Sequence, residues 1–101
     1  MSVEEQKFTP PPIKGYRSLT QTEVDLMNEI KQKGIELQEL ILLVQNHIIA
    51  QQNKADASPY GAEEWERLDA AQPERWMAIG RTHFQEGLMA LTRSVAQPGF
   101  F

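Results

Sequence analysis

The chain has 101 residues and no cysteine, and its 10 basic against 14 acidic side chains leave a formal charge of −4. One small domain fits that length; a disulfide framework and a thiolate nucleophile are excluded, and a cytosolic setting suits the composition. Apolar residues make up 41 %, yet the longest wholly apolar stretch, Leu40 to Val44, falls far short of the roughly 18 residues of a membrane span.

The amino terminus does not read as a signal peptide, because Glu4 and Glu5 stand where a basic and then apolar segment belongs. Thr9-Pro10-Pro11-Pro12 favours an extended, polyproline-like path. Residues 1–14 are therefore expected to form a flexible proline-containing arm, 15–98 a single helical domain and 99–101 a tail. Ile13-Lys14-Gly15-Tyr16-Arg17 carries one apolar, one aromatic and two basic residues. A disordered arm with an incidental aromatic accounts for it as well as any functional reading.

Thr20 and Glu23 form a capping box, with Leu19 and Val24 as its hydrophobic staple. Met27, Ile30, Gly34, Leu37, Ile41, Val44 and Ile48 then step by threes and fours, which keeps one helical face apolar. Leu26, Leu40, Leu42, Leu43 and Ile49 lie off that stripe, so the second half of the helix is apolar nearly all round. The helix is expected to run to about Gln52, roughly 48 Å at the α-helical rise. Asn53 to Gly61 reads as a loop, and Ala62 to Ala71 as a short acidic helix with Trp65 and Leu68 on one side. Pro73 suits the first turn of a second long helix, Glu74 to about Ala96, which Pro98 and Gly99 end. No strand pattern appears.

This last helix carries a bulky stripe (Met77, Phe84, Leu88, Leu91, Val95) and a small one (Gly80, Gly87, Ser94, with His83 and Ala90 between). A helical glycine costs about 1 kcal/mol against alanine, so the small stripe points to close approach of another backbone or a ligand. Gly34 is expected to serve the same end. The fold is all-α: two long helices in a hairpin plus short helices. Their surplus apolar faces favour a compact helical homo-oligomer over a monomer covered by the short helix and arm.

The inventory for catalysis is thin. His47 and His83 lack ligand-like spacing to carboxylates, and His83 with Glu86 is a single pair. Ser18, Thr20 and Thr22 suit capping better than nucleophilic attack. No phosphate-cradling glycine loop exists, so neither an enzyme nor a cofactor or metal site is expected. Binding is better supplied. Asp56, Glu63, Glu64, Glu66, Asp69 and Glu74 concentrate acid in the middle, against Arg67. Lys7, Lys14 and Arg17 lie near the start, and Arg75, Arg81 and Arg93 on the last helix. Gly80-Arg81-Thr82-His83 combines groups suited to phosphate oxygens, but these residues by themselves favour a solvated helix face over a phosphate site. The net acidic charge argues against duplex DNA.

Two blocks resemble a known family. One is Gly15-Tyr16-Arg17-Ser18-Leu19-Thr20 with Asp25-Leu26-Met27-Asn28-Glu29-Ile30-Lys31-Gln32-Lys33-Gly34. The other runs from Arg75-Trp76-Met77-Ala78-Ile79-Gly80-Arg81-Thr82-His83 through Phe84-Gln85-Glu86-Gly87-Leu88-Met89-Ala90-Leu91, followed by Arg93-Ser94-Val95-Ala96-Gln97-Pro98. Together they resemble the phage anti-CBASS cyclic-oligonucleotide sponges over about half of the chain. The resemblance implies a hexamer of three dimers that sequesters bacterial antiphage signals without degrading them, in the cytoplasm of the infected host. It implies cyclic-dinucleotide pockets between paired subunits, with Tyr16 stacking on a base and Lys31 reaching phosphate. It further implies separate cyclic-trinucleotide pockets drawing on Arg75, Gly80, Arg81 and Thr82. A small helical phage protein that binds another polypeptide, as a regulator or minor virion component, is the alternative.

Overall fold

The structure, a computed structural model, describes residues 14–100. Its order is α1 (Gln21–Ala57), α2 (Gly61–Ala71) and α3 (Pro73–Ala96), with no strand among the described residues. The all-α hairpin expected from the periodicity is therefore what forms: α1 is one arm, and α2 with α3 make a bent second arm running back along it. The proposed arm lies almost wholly outside the described residues.

The capping box sets the start of α1. Thr20 Oγ1 accepts from the Glu23 amide at 3.2 Å, and Glu23 Oε1 accepts from the Thr20 amide at 2.8 Å. Its end departs from expectation. α1 continues past Gln52 through Asn53, Lys54, Ala55 and Asp56 to Ala57, so most of the expected loop is helix. Tertiary contacts supply the reason. Ala55 is buried, and Asp56 Oδ1 accepts from the Trp65 indole at 3.0 Å. Only Ser58–Tyr60 remains as a turn, in which Ser58 accepts from the Tyr60 amide through Oγ and from the Gly61 amide through its carbonyl.

Between α2 and α3 the chain bends at one residue. Pro73 has no N–H to continue α2, and Gln72 takes the left-handed conformation (φ 51°, ψ 55°), its amide bonded to the Leu68 carbonyl. That conformation costs roughly 1–2 kcal/mol for a residue with a Cβ. Gln72→Gly should therefore raise stability by about 1 kcal/mol, after the extra freedom glycine brings to the unfolded chain is subtracted; a thermal midpoint no higher than the parent's would contradict this.

The seam between the arms is narrow. Ile48, Ala55 and Leu68 are the buried apolar side chains among the described residues. Along the seam Leu88 Cδ1 would lie 3.3 Å from a Cβ at Gly34, so that glycine does admit the opposite helix. Leu91 and Val44, placed on the stripes by spacing, are instead 54 % and 41 % exposed, because a two-helix contact covers a strip narrower than either apolar surface. Leu40, Leu42, Leu43 and Ile49 are likewise uncovered. A radius of gyration of 22.2 Å, against about 13 Å for a compact domain of this length, expresses the same geometry. No helix among the described residues is long and apolar enough to cross a membrane.

Candidate functional site at the open end of the hairpin

The segment before α1 and the end of α3 meet at the open end of the hairpin. Arg17 ties them: Nη1 donates to Glu23 Oε1 at 3.1 Å, while Nη2 donates to Glu23 Oε2 and to the Val95 carbonyl at 2.8 Å. The guanidinium thus serves one of the open carbonyls at the end of α3. These bonds, the Arg17 pair foremost and the Thr20 amide next, hold the Glu23 carboxyl at about 2, below its ordinary 4.5. A depressed acid stabilises the fold fully above its unfolded pKa and loses that contribution as pH falls through its folded one. Stability should accordingly decline between about pH 5 and pH 2, and Glu23→Gln should flatten that limb of a denaturation-versus-pH profile.

Beside this clamp lies a groove of about 720 Å³ lined mainly by apolar groups, within the size range of small-molecule sites. Met27, Ile30 and Gly34 of α1 line it with Leu88 of α3. Tyr16 and Lys31 both border it. Lys31 lies one turn beyond Met27 on the exposed flank of the stripe, and it has no ion-pair partner among the described residues. An aromatic ring and an unpaired ammonium on one apolar groove offer a stacking surface and an anion contact together. Within one chain, then, the structure brings Tyr16 and Lys31 to the same site.

It does not do so for the residues of the last helix. Arg75 and Thr82 border a shallow depression with Ala78, Ile79 and His83, and the Arg75 guanidinium sits 5.2 Å from the Trp76 ring centroid. Arg81 instead borders the α1–α3 groove, beside Gln38, Gln45 and Gln85. Among the described residues, a Cβ added at Gly80 or Gly87 would meet nothing within 4 Å. The close approach that these glycines permit is therefore not made by the chain's own helices.

The Acb2/Tad1 hairpin domain family matches residues 11–96, which take in nearly the whole described structure. The chain belongs to this family. It is also similar to Anti-CBASS protein 2 of Pseudomonas phage JBD67, with 41 % identity over 98 residues, covering 85 % of this chain and 91 % of that protein. In this Acb2/Tad1 hairpin the matched region includes Tyr16, Lys31 and the whole of α3.

Sequence reasoning passed over several of the groove's lining residues. Met89, Thr92, Arg93, Ala96, Pro98 and Phe100 also line it. Phe100 falls beyond the end of α3, where periodicity carries no information, and Met89 and Thr92 lie off both of that helix's stripes. One signal was available: an aromatic placed directly after Pro98-Gly99, a pair that turns a chain back on itself.

Proposed function

We propose that this protein blocks CBASS immunity by sequestering its cyclic oligonucleotide signals unaltered, in the cytoplasm of a phage-infected bacterium. The observation that carries the reading is the convergence of Tyr16 and Lys31, which has no ion-pair partner among the described residues, on one apolar groove, in a chain related to a phage protein named for anti-CBASS activity. A cyclic dinucleotide presents base faces to stack on Tyr16 and phosphates to meet Lys31. Stacking tolerates different bases and is worth about 1–3 kcal/mol per base, which suits capture of several signals. The ligand is two-fold symmetric, so a two-fold pair of chains supplies both residues twice.

The uncovered surface supports assembly. Leu40, Leu42, Leu43 and Ile49 on α1, with the open approach at Gly80 and Gly87 on α3, suit burial against other copies in a hexamer of three dimers. Arg75, Gly80, Arg81 and Thr82 then contribute to cyclic-trinucleotide pockets from more than one subunit, which accounts for their separation within one chain. Light scattering should give about six times 11.5 kDa, and a clean monomer would refute the assembly.

Calorimetric titration with a panel of cyclic di- and trinucleotides, followed by recovery of the ligand, tests the function. Saturable binding with the ligand recovered intact is the expected result. Absence of binding across the panel, or a cleaved ligand, overturns it.

A further inference from the structure

The turn after α3 does more than end the helix. The Gly99 amide donates to the Gly15 carbonyl at 2.6 Å, and the Phe100 carbonyl accepts from Arg93 Nη2. The Arg93 guanidinium also lies 5.7 Å from the Phe100 ring centroid, so the turn is anchored to α3 at both backbone and ring. Phe100 in turn meets Tyr16 edge to face, with centroids 5.1 Å apart and planes at 71°.

Gly15 makes this seat. Its φ of +89° is accessible at little cost only to glycine, and a Cβ there would stand 2.5 Å from Phe100 Cδ1. The absent side chain is the space that the Phe100 ring occupies.

Tyr16 belongs to the irregular stretch ahead of α1, where no helical turn orients its ring. A ring that must stack on a base binds best when it is already held. We propose that Phe100 is a positioning residue for Tyr16, and that the turn Pro98–Phe100 is a strap fixing the tyrosine ring at the mouth of the groove for the base of a cyclic dinucleotide. This rests on the nucleotide-binding reading above. Phe100 lines the same groove, so the strap is part of the site wall.

A double-mutant cycle on the full chain, titrated with cyclic dinucleotide in a calorimeter, tests the role. Phe100→Ala should weaken binding roughly 3- to 10-fold by freeing Tyr16, with helicity and assembly size unchanged. In a Tyr16→Ala background the same change should cost clearly less than it does in the parent, and Phe100→Tyr should restore parental affinity. Phe100→Leu, which keeps apolar volume but removes the flat ring, replaces Phe100→Ala should the latter alter helicity or assembly. Additive losses in the cycle, or a Phe100 variant that binds as tightly as the parent or more tightly, overturn the inference and leave the nucleotide reading standing. A parent chain that binds no cyclic dinucleotide overturns both.

Discussion

Gly61→Ala should break the bend of the hairpin and lower stability by more than about 3 kcal/mol, in the range reserved for a backbone clash or a lost core. A Cβ at position 61 would stand 1.8 Å from the Ala55 carbonyl oxygen and 2.8 Å from its carbonyl carbon. Both are main-chain atoms of a helix, so neither can rotate aside as a side chain would. Relief requires α2 to lift from the end of α1. That would expose Leu68 and Ala55, two of the three apolar side chains buried in the described structure, and separate Trp65 from Asp56. Chemical denaturation followed by circular dichroism reads the loss directly; a midpoint within error of the parent's would show that α2 does not pack on α1 in this way. Gly80→Ala is the matched control. Among the described residues of one chain its Cβ meets nothing within 4 Å, and it should gain up to about 1 kcal/mol of helix stability. Loss of the assembly in that variant would instead place a neighbouring subunit against the glycine.

The second large effect concerns the groove. On the proposed reading, Tyr16→Ala removes a stacking surface worth about 1–3 kcal/mol per base, and Lys31→Ala a charge-assisted contact of roughly 1.5–3 kcal/mol. Each should weaken cyclic-dinucleotide binding about 10- to 100-fold, since about 1.4 kcal/mol is a factor of ten. Neither should disturb folding, because both side chains are exposed in the single chain. Arg81→Ala should spare dinucleotide binding and abolish trinucleotide capture, because Arg81 borders a different groove from the one Tyr16 and Lys31 share. Titration of the three variants with both ligand classes decides the matter. Parental affinity in Tyr16→Ala and Lys31→Ala would remove these residues from the site. Competition between saturating dinucleotide and trinucleotide would reduce the two sites to one.

Much of the fold was legible because local rules decided it. The Thr20–Glu23 box is a four-residue signal whose two bonds both form. Pro73 lacks a donor wherever it stands, so the break before α3 needed no tertiary information. The three- and four-residue stepping of Met27, Ile30, Gly34, Leu37 and Ile41 named the side of α1 that faces α3, since periodicity alone fixes which residues share a helical face.

What tertiary structure decided lies where burial and distant contacts override local preference. Asn53 to Ala57 carries no apolar stripe and reads as a loop; it is helical because Ala55 and Asp56 meet Gly61 and Trp65 of α2. Spacing put Leu91 on the bulky stripe, but only the packing of one helix on another shows how wide a strip is covered. The candidate site divides in the same way. The family's sequence pattern named Tyr16 and Lys31 among the residues that border the groove, whereas it did not name Arg93 and Phe100 as part of it. They reach the groove only because the hairpin brings the end of α3 back beside Gly15, a closeness between distant parts of the chain that no local spacing encodes.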